Sequence, residues 1–162
     1  MRFLGTIEAK TDAKGRAFLP AAFRKMLQSA GEERMMLRKD VFQPCLVLYP
    51  ESVWNEQMDE LQARLNKWNK AHRELFRRFV AEVEPITLDG NGRFLISKRF
   101  QQMAGIRQDI RFIGMDDTIE IWSNDSNDMP TMTAEDFGRE LEMVMGDENS
   151  GNQSLQASHS PK

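Results

Sequence analysis

Apolar and polar positions along the chain divide it into strand-like and helix-like stretches. Residues 3–9 (Phe3-Leu4-Gly5-Thr6-Ile7-Glu8-Ala9) predict a leading strand and residues 16–19 a second one, with an Asp- and Gly-bearing turn between them. Pro20 suits a first helical position and Gly31 can end the short helix that follows. Residues 34–37 and 46–49 predict two further strands. From about residue 52 to 83, Trp54, Met58, Leu61, Leu65, Trp68, Leu75, Phe76, Phe79, Val80 and Val83 recur at three- and four-residue steps opposite a charged face. That spacing predicts a helical connector with a break near residues 68–71, closed by Pro85. Its aromatic stripe fits a core or a subunit interface better than a cofactor box.

The pattern then repeats. Asp89-Gly90-Asn91-Gly92-Arg93-Phe94-Leu95-Ile96-Ser97-Lys98-Arg99-Phe100 follows Asp12-Ala13-Lys14-Gly15-Arg16-Ala17-Phe18-Leu19-Pro20-Ala21-Ala22-Phe23 at an offset of 77. Asp, Gly, Arg and the final Phe coincide, and apolar residues align at Ala17/Phe94, Phe18/Leu95 and Leu19/Ile96. Further on, Cys45-Leu46-Val47-Leu48-Tyr49 matches Thr118-Ile119-Glu120-Ile121-Trp122. Two copies of one supersecondary unit follow: strand, turn, strand, helix, strand, turn, strand. In the second copy Ser97 suits a helix N-cap and Gly105 a helix end. A type I turn with a bulge glycine at Gly15 and Gly92 accounts for each Asp…Gly-Arg run. A last helix is predicted over residues 134–145, capped by Thr133 with Asp136 returning the bond, and with Phe137, Leu141 and Val144 on one face. The polar tail beyond it has little to bury. The expected organisation is a first unit over 1–51, a connector over 52–84, a second unit over 85–125, a C-terminal helix within 126–146 and a disordered tail over 147–162.

Charge sharpens this picture through its distribution. The 162-residue chain has a net charge of −3, which argues against a polyanion partner. Residues 1–80, however, hold fifteen Lys and Arg against ten Asp and Glu, whereas the remainder holds seven against fifteen. Such asymmetry points to a polyanion partner, to subunit contacts or to an acidic tail.

Most enzyme classes lack their residues. Two histidines, His72 and His159, and one cysteine, Cys45, do not make a usual zinc site, and His72 is expected on a solvated face. Neither a G-x-S-x-G nor a G-x-x-x-x-G-K-[ST] run occurs. No catalytic, cofactor-binding or metal-binding residue is therefore assigned. No apolar stretch reaches the roughly 20 residues of a membrane-spanning helix. The charged start of the chain predicts no signal peptide, and the single cysteine fits a reducing cytoplasm.

The chemistry lies in the Lys14-Gly15-Arg16 turn. The turn is expected at a hairpin tip, which projects, so an arginine there can grip phosphate oxygens or take a guanine edge bidentately, and Gly15 lets the backbone approach closely. Lys14 adds a charge, with Lys10 on the entering strand and Arg24 and Lys25 on the following helix. Equally, Asp12 and Arg16 can pair with each other as plain turn residues. The second turn is less basic, with Asn91 in place of Lys14, Ser97 in place of Pro20 and Gln101 in place of Arg24.

These residues resemble the MraZ family of bacterial transcriptional regulators, in the SpoVT/AbrB-like superfamily. The likeness runs over residues 1–145 and rests on Gly5, Asp12-Ala13-Lys14-Gly15-Arg16, Leu19-Pro20, Phe23-Arg24, Cys45-Leu46-Val47-Leu48-Tyr49-Pro50 and Trp54. It continues through Arg73, Arg77-Arg78-Phe79, Asp89-Gly90-Asn91-Gly92-Arg93, Ala104-Gly105-Ile106, Gly114 and Ile119-Glu120-Ile121-Trp122. The resemblance implies a mainly β fold with added helices (α+β), in which two tandem units form a split β-barrel of swapped-hairpin type. It implies a non-enzymatic, cytoplasmic, nucleoid-associated regulator without cofactors. The regulator would assemble as a ring-shaped homo-oligomer on repeated boxes of double-stranded promoter DNA, as a repressor of the division and cell wall gene cluster. By motif position it points to Arg16 first, then Lys14 and Arg93, with Arg24, Lys25 and Lys10 as weaker candidates. Within the same superfamily, an antitoxin-like protein-interaction module is the competing expectation.

Overall fold

A computed structural model describes residues 1–125 and 131–146. It divides into a body over residues 1–127 and a separate C-terminal unit. The expected tail over 147–162 and residues 126–130 lie outside the described residues.

The body begins with β1 (Thr6–Lys10), β2 (Arg16–Phe18), α1 (Ala21–Ser29), β3 (Arg34–Lys39) and β4 (Leu46–Pro50). Two helices follow, α2 (Glu51–Arg64) and α3 (Lys70–Ala81), and the second copy supplies β5 (Glu84–Thr87), β6 (Arg93–Leu95), α4 (Lys98–Met103), β7 (Asp109–Met115) and β8 (Thr118–Ser123). The fold is thus α+β, dominated by antiparallel sheet. Both short helices end in left-handed glycines: Gly31 (φ 71°) and Gly105 (φ 62°) follow α1 and α4. In each, a backward amide bond then closes the end, Glu32 N–H to Leu27 C=O and Ile106 N–H to Gln101 C=O.

Strand pairing crosses between the copies. The main sheet runs β1-β7-β8-β4-β3-β5, so β1 of the first copy lies on β7 of the second and β5 of the second on β3 of the first. The remaining strands, β2 and β6, form a separate two-stranded ribbon. Its register is symmetric under the 77-residue offset: Arg16 faces Leu95, Ala17 faces Phe94 and Phe18 faces Arg93.

Two expectations are corrected here. The sheet is open, with β1 and β5 as its edges, and does not close into a barrel. The Asp-Gly turn is also not the tip of a paired hairpin, because its two arms enter different sheets. Burial explains the divergence: Ile7 and Ala9 pack from the large sheet, whereas Ala17 and Leu19 enter the same core from the ribbon.

That core lies between the large sheet and the ribbon with its helices. Phe112, Ile110, Ile119, Ile121, Leu46, Leu48 and Leu37 fill it from the sheet. Phe94 and Ile96 come from the ribbon side, and Phe23 and Phe100 from α1 and α4. Phe94 meets Phe112 edge-on with ring centroids 6.4 Å apart. Phe3 meets Phe23 in the same way at 5.5 Å. Gly114 makes the approach of Phe3 possible. A Cβ there would lie 2.6 Å from Phe3 O and overlap the backbone at Phe3 C and Leu4 N.

The helical connector breaks at residues 65–69, slightly before the expected place, with Asn69 capping α3 through the His72 amide. Its stripe splits in two. Trp54 stacks on Phe79 (5.2 Å, interplanar 3°) and touches Tyr49, and the buried Arg38 guanidinium lies 4.5 Å from the Phe79 ring centroid. Trp68, by contrast, is 96 % exposed and Leu75 is also exposed, so this end is not core.

The separate unit holds α5 (Ala134–Gly146). Thr133 Oγ1 accepts the Asp136 amide as expected, but the Asp136 carboxylate turns to Arg139 at 2.9 Å instead of returning the bond. Phe137, Leu141 and Val144 are exposed on it.

Candidate nucleic-acid interface

The site is built on the two turns. In the first, Gly15 N–H donates to Asp12 O (3.0 Å) and Asp12 N–H to Arg16 O (2.8 Å), while Gly15 takes φ 87°. This is the expected turn with a bulge glycine, a conformation that strains other residues. The Asp12 side chain completes it. Oδ1 accepts the Lys14 and Arg16 amides, both at 2.9 Å, and Oδ2 accepts Arg16 Nε at 2.8 Å. The second turn reproduces every bond: Asp89 Oδ1 accepts the Asn91 and Arg93 amides, and Oδ2 accepts Arg93 Nε at 2.9 Å. The Asp–Arg pairing of a plain turn is therefore real. It occupies only Nε of each guanidinium, and the Nη groups have no intramolecular hydrogen bond among the described residues.

These bonds hold both carboxyls below their ordinary range. The Arg16 amide is the largest cause for Asp12 and the Arg93 amide for Asp89, partly opposed by desolvation. A depressed native pKa contributes stability above the unfolded pKa, which is lost as pH falls through the native one. The turns therefore stay braced at neutral pH and slacken only in acid. A carboxyl NMR titration of Asp12 is expected to give a midpoint below that of an unstructured peptide. A midpoint at or above the peptide value would contradict the bonding.

The ribbon sets the two turns at opposite ends. Its hydrogen bonding runs into both of them, with Ile96 N–H donating to Gly15 O (2.9 Å) and Leu19 N–H to Gly92 O (3.0 Å). Because side chains alternate along a strand, Ala17 and Phe94 point into the core and Arg16, Phe18, Arg93 and Leu95 point out. Arg16 and Arg93 thus sit diagonally on one outward face, partly covered by their Asp partners (side chains 33 % and 25 % exposed).

The other candidates separate. Lys14 is exposed in the first turn. Arg24 reaches across to the second turn, its Nη1 3.5 Å from Asn91 O and in the space a Cβ on Gly92 would need. Gln101 takes the equivalent place at the first turn, over Gly15, donating through Nε2 to Ile96 O at 2.7 Å. The second turn, poor in charge by its own residues, borrows a cation from the first copy. Lys10 lies instead in the large sheet, facing Asp109 at 3.7 Å. Lys25 is exposed beside Met1 in a separate groove. Phe18 and Leu95, aligned in the repeat but not singled out by it, are the exposed apolar members of the outward face.

Other reactive groups are spent structurally. Burial pushes the Cys45 thiol up to about 12, so it stays protonated and a poor nucleophile. His72 is half-buried, not on a solvated face, and its Nδ1 accepts the Asn66 amide at 2.9 Å across the helix break. Among the described residues no cluster of three or more metal-ligating side chains forms, and no helix is long and apolar enough to cross a membrane.

Fold and site together define an α+β protein that carries a cationic two-stranded ribbon braced by paired Asp-x-x-Gly-Arg turns. The profile of the family described as "MraZ protein, putative antitoxin-like" matches residues 2–78 and again 79–128, and the chain belongs to the MraZ family. It is 66 % identical over 149 residues to the transcriptional regulator MraZ of Phocaeicola vulgatus, spanning 92 % of this chain and 97 % of that one. It is 60 % identical to the protein of the same name from Bacteroides thetaiotaomicron (92 % and 96 %). With that of Yersinia pestis the identity is 32 % over 120 residues (74 % and 78 %).

Proposed function

We propose that this chain is a sequence-specific DNA-binding transcriptional regulator that lays the β2–β6 ribbon into the major groove. The observation that carries this reading is the outward pair Arg16 and Arg93, each with Nε held by an aspartate and its Nη groups without an intramolecular hydrogen bond among the described residues. A guanidinium oriented in this way suits bidentate contact with guanine O6 and N7, and a two-stranded ribbon fits the roughly 12 Å major groove. Lys14 and Arg24 flank the two ends as phosphate contacts, with Lys25 and Lys10 as weaker ones. That its relatives are named transcriptional regulators supports the regulatory role.

On a chain of net charge −3, one small cationic face makes few phosphate contacts. Affinity then comes from several chains engaged together, which suits a ring-shaped homo-oligomer on tandem promoter boxes. The proposal extends to repression of the division and cell wall gene cluster, its own promoter included, by a cytoplasmic, nucleoid-associated protein. Binding-site selection from random DNA, followed by gel-shift titration on the duplex upstream of its own gene, tests it. Enrichment of a repeated motif is expected, with log affinity falling linearly in log salt at about −0.9 per phosphate contacted. No enrichment, or a flat salt response, would refute the reading.

A second reading, a protein-interaction module of the antitoxin-like kind, draws on the exposed apolar face of α5 at Phe137, Leu141 and Val144. Pull-downs with and without nuclease separate the two, since only a protein partner survives nuclease.

A further inference from the structure

We propose that Phe18 and Leu95 read thymine 5-methyl groups in the major groove, an inference that rests on the DNA-binding reading above. Phe18 is 57 % and Leu95 52 % exposed, although both lie in three-residue strands whose central residues, Ala17 and Phe94, are almost wholly buried. They are therefore not stray core residues. The strand alternation aims them outward, onto the face that carries the two arginines. Arg16 stands directly opposite Leu95, and Phe18 opposite Arg93, whose guanidinium carbon lies 5.9 Å from the Phe18 ring centroid. One face thus holds two cations on one diagonal and two apolar groups on the other.

The chemistry of that face selects its occupant. Phosphates satisfy the arginines but offer nothing to a phenyl ring or an isobutyl group. On the major-groove edges of the bases the thymine methyl is the apolar feature, and apolar side chains recognise it there. Residues two apart on a strand are separated by about 6.7 Å, roughly two base steps of 3.4 Å. Arg16 with Phe18, and Arg93 with Leu95, accordingly suit a guanine and a thymine about two steps apart, once on each side of the ribbon. A second copy of this chain, the other candidate to cover apolar surface, would have to offer acceptors to the Nη groups that Asp12 and Asp89 leave over, and would make both arginines unavailable to DNA.

The test uses the full chain and the tightest duplex recovered by binding-site selection. Each thymine is replaced singly by deoxyuridine, which removes the methyl and keeps every hydrogen-bonding group. Wild-type affinity is expected to fall roughly fourfold at one or more positions, the worth of one buried methyl-sized group. The same replacements should change affinity less than twofold in Phe18→Ala or in Leu95→Ala, whichever faces that base. Phe18→Leu, which retains an apolar tip, should keep part of the sensitivity. Tight wild-type binding without any thymine-to-uracil effect overturns the inference while the DNA-binding reading stands. Full sensitivity retained in both alanine variants also overturns it. A Phe18→Ala chain that loses its oligomeric state, with no methyl dependence in the wild type, assigns the face to a contact between copies instead. If no duplex is selected at all, the parent reading fails and this one with it.

Discussion

Arg16→Ala is expected to remove specific DNA binding while the protein keeps its elution volume and melting temperature. A bidentate guanine contact is worth about 1–3 kcal/mol, or roughly 5- to 150-fold for each ribbon engaged. In the ring assembly proposed for tandem sites these losses would multiply, because every chain would carry the same defect. Folding should be spared, since the Arg16–Asp12 pair is a third exposed and surface pairs of this kind contribute little to stability. Arg93→Ala should weaken binding by a comparable factor, since its guanidinium is held as that of Arg16 is. Gel-shift titration of both variants, with circular dichroism as the folding control, decides it. Unchanged affinity in Arg16→Ala would remove the residue from the site.

Gly114→Ala is expected to be strongly destabilising. The new Cβ would meet main-chain atoms of Phe3 and Leu4, which cannot swing aside as a side chain can. Relief requires the N-terminal segment to lift from β7. That would break the hydrogen bonds from Gly114 N–H to Gly5 O and between the backbones of Phe3 and Asp116, and withdraw the fully buried Phe3 from Phe23. Overpacking costs of 1–3 kcal/mol, together with partial loss of a buried phenyl, suggest a destabilisation of about 3 kcal/mol. Urea denaturation would record it as a lower midpoint. A midpoint equal to wild type would mean that Phe3 does not depend on this approach.

The repeat, the turns and the helix ends were legible because their causes are local. Asp12 and Asp89 bond amides two and four residues on, and Gly15 and Gly92 supply a backbone conformation that needs no distant partner. The choice of partner strands was not legible. Nothing near Thr6–Lys10 announces that it will pair with Asp109–Met115 across most of the chain, so the turn looked like a hairpin tip. The apolar run Ala17-Phe18-Leu19 hid its alternation, because a continuous run reads as buried on both faces. Arg24 was visible as a cation but not as the cation of the other copy's turn, since its reach from α1 to Asn91 exists only after the copies interleave. Trp68 carried the right spacing for a core stripe, but the break after Arg64 takes it off the face that Trp54 shares with Phe79.

That interleaving has a consequence in time. Each outer strand of one copy is completed by a strand of the other, so neither half can finish a sheet alone. On a ribosome adding 5–20 residues per second, β1 waits roughly 5–20 s for β7 to be made. Contacts of such long sequence separation also slow folding after release, because a large loop must close before any bond rewards it. During this interval β1 and β3 present open edges, the form of chain most prone to pair with a stranger. A nascent or truncated copy would therefore be a liability to its neighbours, and the ribbon that carries both arginines comes into being only when the second half arrives.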